Sequence, residues 1–309
     1  MTIPEAIKHS VTEKLQQANT FAHDEVLENV KNIGGGCISD AYLCTSSAGK
    51  RIFVKTCQPS RKQSIDEIVE MFASEVKGLK ALVDTKTIKV PTPYAYGSLD
   101  NNHYGYLAME YIPLGSKYGA SSVQRKLGEQ LASLHLASGP KQFGFECNNT
   151  IGSTPQDNTW CSDWVEFLRR RLTYQFDLAI PRYPQLTKPA QELLDRLDTY
   201  FDMIPDKIQP SLQHGDLWSG NWNVDDEGNP VIIDPAPFWG HNESDLGIMK
   251  MFGGFVSDFY KAYHEKIPKQ PGYEKRVDIY ALYHTVNHLN MFGSSYLGSC
   301  MSLLSEILK

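Results

Sequence analysis

The chain has 309 residues, 41% of them hydrophobic and 11% aromatic, which suits two ordinary domains or one fold built in two lobes and excludes a largely disordered chain. Its formal net charge is −6 and its densest basic run is only Arg169-Arg170-Arg171, which speaks against a nucleic-acid partner. No apolar run approaches the roughly 18 residues that span a bilayer, and an N-terminus carrying Glu5, Lys8, Glu13 and Lys14 lacks the apolar core of a signal peptide, so a cytoplasmic protein without a membrane partner is expected.

Ile3, Ile7, Val11 and Leu15 recur every four residues and predict a first helix over 3–17. The period then changes. Val26–Asn32, Ala41–Thr45 and Arg51–Lys55 read as strands, the last two joined by a Ser46-Ser47-Ala48-Gly49 turn. Ile65, Ile68, Val69, Phe72, Val76, Leu79 and Leu82 mark a long amphipathic helix. Beyond Pro91 and Pro93, Tyr94–Ser98 and Tyr104–Met109 read as two more strands around Asp100-Asn101-Asn102.

From Ser121 onward the pattern is mainly helical, with Val123, Leu127, Leu131 and Leu134 on one stripe and further helices expected over 162–180 and 188–204. Residues 138–160 are rich in Gly, Asn, Thr and Pro and are expected as a long ordered loop. Asn221–Val224 and Val231–Ile233 flank Asp225-Asp226-Glu227-Gly228-Asn229, a hairpin signal. Two or three helices should close the chain. The expected fold class is α+β: a protein-kinase-like bilobal fold with a five-stranded antiparallel sheet and one main helix in lobe 1–112, and a larger helical lobe over 113–309.

Phosphoryl transfer from ATP needs a base to orient the acceptor hydroxyl, oxygen ligands for Mg²⁺ and a lysine on the phosphates. The run His214-Gly215-Asp216-Leu217-Trp218-Ser219-Gly220-Asn221 sets Asp216 and Asn221 five residues apart, as in the catalytic loop H-R-D-x-x-x-x-N. Asp234 follows the Val231-Ile232-Ile233 strand, thirteen residues after Asn221. Upstream, Lys55 ends a strand and Glu75 lies twenty residues on, within the amphipathic helix, so the two can pair. Glu110, Tyr111 and Ile112 close the fifth strand, where a backbone hinge for adenine belongs. Gly34, Gly35, Gly36 and Ser39 occupy the turn between the first two strands, where a phosphate loop belongs, although Ser39 stands at the third glycine position. A P-loop NTPase is excluded, because Gly49-Lys50 is followed by Arg51 and lacks the leading glycine. Gly215 replaces the arginine of H-R-D and Pro235-Ala236 follows Asp234, so a switched protein kinase is not expected. Proline should also drive Asp234 towards extended backbone.

The run His214–Asn221 with Asp234-Pro235-Ala236 and Trp239-Gly240 resembles the fructosamine (ketosamine) 3-kinase family, within the aminoglycoside-phosphotransferase-like kinases. So do Phe143-Gly144-Phe145, Asn149, Ile151-Gly152, Thr154-Pro155-Gln156, Trp160 and Trp164. The resemblance implies ATP- and Mg²⁺-dependent phosphorylation of the 3-hydroxyl of a small or protein-bound ketosamine, after which the adduct becomes unstable and the amine is freed. It makes Asp216 the catalytic base and Glu110–Ile112 the nucleotide hinge, while the kinase-like spacing of the motif puts Asn221 and Asp234 on the metal. The rivals are a kinase of aminoglycosides, choline or homoserine-like alcohols, and a silent nucleotide-binding module.

Trp218 and Trp239 flank the motif and suit either a substrate wall or loop packing. Arg171 reads as a surface ion-pair partner, Asp245 as the cap of a helix starting near Leu246, and Trp160 with Trp164 as one helix face. The six cysteines form no C-x-x-C pair and are expected as thiols in a reducing compartment. Cys37 in the glycine-rich turn has two readings: a small residue that fits beside glycines, or a thiolate-prone group able to link two chains into a homodimer.

Overall fold

The computed structural model describes residues 3–35, 39–60, 63–99, 103–115 and 121–309. The chain divides into two compact units, Met1–Asp84 with Val90–Leu114, and Thr85–Lys89 with Gly115–Lys309.

The first unit begins with α1 (Ile3–Gln17), followed by β1 (Leu27–Gly35), β2 (Asp40–Ser46), β3 (Arg51–Cys57), α2 (Ile65–Asp84), β4 (Pro93–Leu99) and β5 (Tyr104–Glu110). The strands form one antiparallel sheet in the order β1-β2-β3-β5-β4. Side chains alternate across it, so residues opposite one another share a face. Ile52 and Val54 of β3, with Tyr106 and Ala108 of β5, pack against Ile7, Val11 and Leu15 of α1. The other face belongs to α2. There a Cβ on Gly105 would lie 2.4 Å from Ile68 Cγ2, so the glycine lets the helix come down onto the sheet. Lys55 stands opposite Leu107, which puts it on this α2 face, and that is why it meets Glu75.

The second unit is mostly helical. α3 (Ser121–His135) precedes a small hairpin, β6 (Asn149–Ile151) and β7 (Thr154–Gln156); then come α4 (Trp164–Ala179) and α5 (Thr187–Asp195). Next are β8 (Ser211–Gln213), β9 (Trp222–Val224), β10 (Pro230–Ile232) and β11 (Phe238–Gly240), and finally α6 (Ser244–Phe252), α7 (Ser257–Lys266), α8 (Tyr273–Phe292) and α9 (Leu297–Leu308). β9 pairs with β10 as expected, and β11 with β8. The core helix is α8, which buries side chains from Tyr273 to Leu289 on every side. Gly128 lets α3 approach α7, since a Cβ there would lie 2.3 Å from the Phe259 carbonyl oxygen.

Four expectations are corrected. The 138–160 stretch contains the β6–β7 hairpin, turned through Gly152 at φ 59°. The helix expected over 188–204 ends at Asp195 and gives way to a 3-10 turn over Leu197–Tyr200. At this end Arg169 binds the Leu194 carbonyl and the Asp198 carboxylate, satisfying an acceptor that the finished helix leaves open. Four helices follow the β9–β10 hairpin, not two or three. Trp160 precedes α4, which starts at Trp164 because Asp163 caps it by accepting from the Glu166 N–H at 2.8 Å. Among the described residues no helix is long and apolar enough to cross a membrane.

Candidate active site

β8 ends at Gln213, and the next eight residues form a loop held by its own backbone. Asp216 O accepts from Trp218 N at 3.0 Å, and Trp218 O accepts from Asn221 N at 3.0 Å. Asn221 Nδ2 donates to the Asp216 main-chain oxygen at 2.9 Å and to its carboxylate Oδ2 at 3.0 Å. The five-residue spacing thus becomes a direct side-chain contact. With the amide protons on Asp216, the atom Asn221 can offer a cation is Oδ1.

Asp234 follows β10 at φ 54°, in the left-handed region rather than the extended geometry expected before proline. Tertiary anchors override the local preference. Ile233 N donates to Asn221 O at 2.9 Å, and Ala236 N donates to His214 O at 2.9 Å, so the segment is pinned to the loop on both sides of Asp234. Backbone strain held this way is typical of functional sites. Burial, and then the charge of Asp234, push the Asp216 carboxyl up to about 8, so it holds a proton far more strongly than an ordinary aspartate.

His214 organises the loop. It is buried, its Nε2 donates to Ile233 O at 2.9 Å and its Nδ1 accepts from Asp216 N at 3.2 Å. Burial lowers its pKa, so the ring is neutral with both nitrogens occupied. Asp245 does not cap its own helix. Instead Oδ2 accepts from His214 N at 2.8 Å, Oδ1 accepts from Gly215 N at 2.7 Å, and His135 Nε2 lies 3.1 Å from Oδ2. Burial would push this carboxyl up, but His135 and the loop N–H groups outweigh it and hold it below the ordinary range. Sequence reading missed this clamp, because the Asp245 side chain reaches thirty residues back and leaves no local signal.

Gly215 explains why no arginine stands there. Its φ is 82°, and a Cβ would lie 2.0 Å from the Ala236 carbonyl oxygen. Gly215→Ala is therefore expected to cost about 2–4 kcal/mol of stability and to depress turnover more than tenfold. Denaturation midpoints and steady-state rates check this, and an alanine variant of wild-type stability would refute the close approach.

In the first unit Lys55 Nζ and Glu75 Oε1 are 2.8 Å apart and only partly exposed. Glu110 at the end of β5 accepts from Thr92 N at 3.2 Å and Thr92 Oγ1 at 3.0 Å. Tyr111 lies under the Arg51 guanidinium at 5.0 Å, and Ile112 is buried. Gly34, at φ 105°, and Gly35 extend β1 opposite Ala41 and Asp40, and Ser39 is half-buried. Gly36 and Cys37 lie outside the described residues, and with them the Cys37-linked dimer. Cys44 and Cys300 are free buried thiols, each pushed up to about 12 by burial.

Trp218 is exposed, whereas the Trp239 ring packs over Gly139, where a Cβ would lie 2.0 Å from it. Arg171 is not at the surface. Its Nη1 donates to Gln156 Oε1 at 2.6 Å, its Nη2 binds Asn158 Oδ1, and its guanidinium lies 4.1 Å over the Phe238 ring. Gln156 also accepts from Tyr283 Oη at 2.6 Å and donates to Asn149 Oδ1 at 3.0 Å, and Asn149 Nδ2 donates to Pro237 O at 2.9 Å. The Asn149 and Thr154-Pro155-Gln156 features thus brace the segment that follows Asp234.

Among the described residues no group of three or more His, Cys, Asp or Glu side chains is placed to hold a metal ion. Mg²⁺ requires less, since one carboxylate and one amide oxygen suffice when water and phosphate supply the rest. Asp234 and Asn221 are donors of that kind.

The fructosamine kinase family model matches residues 7–309. The chain belongs to this family. A protein-ribulosamine 3-kinase, chloroplastic, of Arabidopsis thaliana is 44% identical over 287 residues, covering 92% of this chain and 83% of the relative. A solved structure from Thermobifida fusca is 28% identical with a TM-score of 0.82, covering 97% of this chain and 98% of that one. The aminoglycoside phosphotransferase APH(4)-Ia is only 12% identical but superposes with a TM-score of 0.61 over 97% of this chain and 95% of its own, which places the fructosamine kinase fold among the bilobal kinase-like folds.

Proposed function

We propose that this member of the fructosamine kinase family phosphorylates the 3-hydroxyl of ketosamines, fructosamine- or ribulosamine-type sugar–amine adducts, with ATP and Mg²⁺, as a cytosolic deglycation repair enzyme. The observation that carries the reading is the Asp216–Asn221 contact beside a pinned Asp234, in a chain akin to a protein-ribulosamine 3-kinase. Asp216 accepts the proton of the attacking hydroxyl. Lys55, steadied by Glu75, takes the phosphates; Gly34, Gly35 and Ser39 line them, and Glu110, Tyr111 and Ile112 receive adenine through the backbone. Asn221 and Asp234 hold Mg²⁺, which supplies charge neutralisation on the phosphates when bound. Trp218 offers its face to the sugar-bearing ammonium.

Fructose-, ribulose- and erythrulose-lysine, choline and an aminoglycoside should be compared in an ATP-coupled assay. The expected outcome is a kcat/KM at least tenfold higher for one of the ketosamines than for choline or the aminoglycoside. Comparable turnover of choline would sink the reading in favour of another small-alcohol kinase, and no turnover at all would favour a silent nucleotide-binding module.

A further inference from the structure

The two braces of the candidate active site meet at one cavity. Arg171, through Gln156 and Asn149, reaches the Pro237 carbonyl beyond Asp234, and Asp245 holds the N–H groups of His214 and Gly215 ahead of Asp216. Arg171, Gly215, Asp245 and His284 line the same space, with the Phe238 and Tyr283 rings in its wall. Every lining residue is buried, and the space offers about 20 Å³ to the centre of a water-sized molecule.

Three polar groups on this wall have hydrogen-bonding capacity left. Arg171 Nε is buried and donates to no group of the protein, while Nη1 and Nη2 bind the neutral amide oxygens of Gln156 and Asn158. His284 Nδ1 is likewise buried without a protein partner. Burial pulls the pKa of that ring down to about 3, so it is neutral and one of its nitrogens accepts. The Asp245 carboxylate takes two hydrogen bonds on Oδ2 and one on Oδ1, of the roughly four that a carboxylate can accept, which leaves a place on Oδ1. His284 feels the charges of both Asp245 and Arg171, as befits groups around one small space. Cavities that stay dry are apolar, whereas a single water needs about 10–15 Å³ and two to four polar partners. This space meets both conditions. A monatomic anion would face the Asp245 carboxylate, which opposes it.

We propose that one ordered water occupies this cavity, accepting from Arg171 Nε and donating to His284 Nδ1 and Asp245 Oδ1, and that Arg171 and His284 act through it as positioning residues for the loop that carries Asp216. Hydrogen bonds in which one partner is ionised are roughly twice as strong as neutral ones, so a water between a guanidinium and a carboxylate ties the hairpin brace to the Asp245 clamp. The segment after Asp234 and the backbone before Asp216 are then held by one connected network. The role in turnover rests on the ketosamine-kinase reading; the site itself does not.

A high-resolution crystal structure of the full chain tests the site, beside a second crystal soaked in bromide. One density peak is expected within hydrogen-bond distance of Arg171 Nε, His284 Nδ1 and Asp245 Oδ1, with no anomalous signal after the soak. Absence of a peak overturns the proposal, and so does an anomalous bromide peak, which assigns the cavity to an anion. Turnover of the ketosamine that wild type uses best tests the role. His284→Leu, similar in volume and without a polar side-chain atom, should lower kcat roughly tenfold and leave the KM for ATP unchanged. His284→Asn, whose amide reaches the place of Nδ1, should restore most of that rate. Equal losses in the two variants, or a wild-type kcat in His284→Leu, show that His284 only fills space and overturn the positioning role. Where His284→Leu does not fold, Arg171→Lys keeps the charge but lacks Nε, and it should show the same loss of kcat; a wild-type kcat there overturns the role as well. Wild type that phosphorylates no ketosamine overturns the ketosamine reading and the role in turnover, while the density still decides the site.

Discussion

Replacing Asp216 by Asn is expected to lower kcat by roughly 10²–10⁴, the share of a positioned proton acceptor. The change is isosteric, and an asparagine oxygen can still accept from Asn221 Nδ2, now 3.0 Å from Asp216 Oδ2, so the loop should keep its shape. What is lost is the carboxylate, whose proton affinity burial and Asp234 have raised. Nucleotide affinity should change little, because the proposed role of Asp216 is towards the acceptor alcohol. Asp234→Asn should behave differently and weaken Mg·ATP binding along with turnover, since it removes a ligand charge. Calorimetric titration of nucleotide with and without Mg²⁺, beside steady-state kinetics, separates the two. Equal losses of ATP affinity with retained rates in both variants would reverse the assignment of base and metal ligand.

How much of this was readable beforehand depends on where each partner lies along the chain. Lys55 and Glu75 could be paired from sequence because a lysine ending a strand and a glutamate in the helix that follows match the kinase pattern, and the structure puts both on the α2 side of the sheet. Asp216 and Asn221 sit within one loop, so their spacing sufficed. Arg171 was misread for the opposite reason: it lies in a run of three arginines, which suggests solvent, and its partners are Gln156, at the end of a hairpin that carries only a loop signature, and Asn158 just after it. Asp245 and His135 serve the His214–Gly215 backbone from two other helices, and no period records such distances. The left-handed Asp234 is the sharpest case. The proline rule describes a local preference, and two backbone hydrogen bonds to the 214–221 loop overcome it.

Glu243→Ala is expected to be the most destabilising of the substitutions considered, at roughly 3–5 kcal/mol. Arg276 is fully buried in α8, and its Nε and Nη2 bind Glu243 Oε2 and Oε1 at 2.7 and 2.8 Å. The Tyr200 and Pro271 carbonyls take Nη1 at 3.3 and 2.5 Å. Those carbonyls satisfy protons but carry no formal charge, so alanine at 243 would leave a guanidinium buried without its counter-ion. The double variant Glu243→Leu/Arg276→Met removes both charges and should recover most of the loss, because an apolar pair of similar volume replaces an ion pair without stranding either member. Denaturation midpoints of Glu243→Leu, Arg276→Met and the double variant decide this; a double variant less stable than both singles would show that the pair matters through shape rather than charge. The effect should also reach the active site. Glu243 directly precedes the helix whose Asp245 holds the His214 and Gly215 N–H groups, so Glu243→Ala should lower kcat even where the chain remains folded. The double variant should regain kcat in step with its stability, since the start of α6 is then packed again.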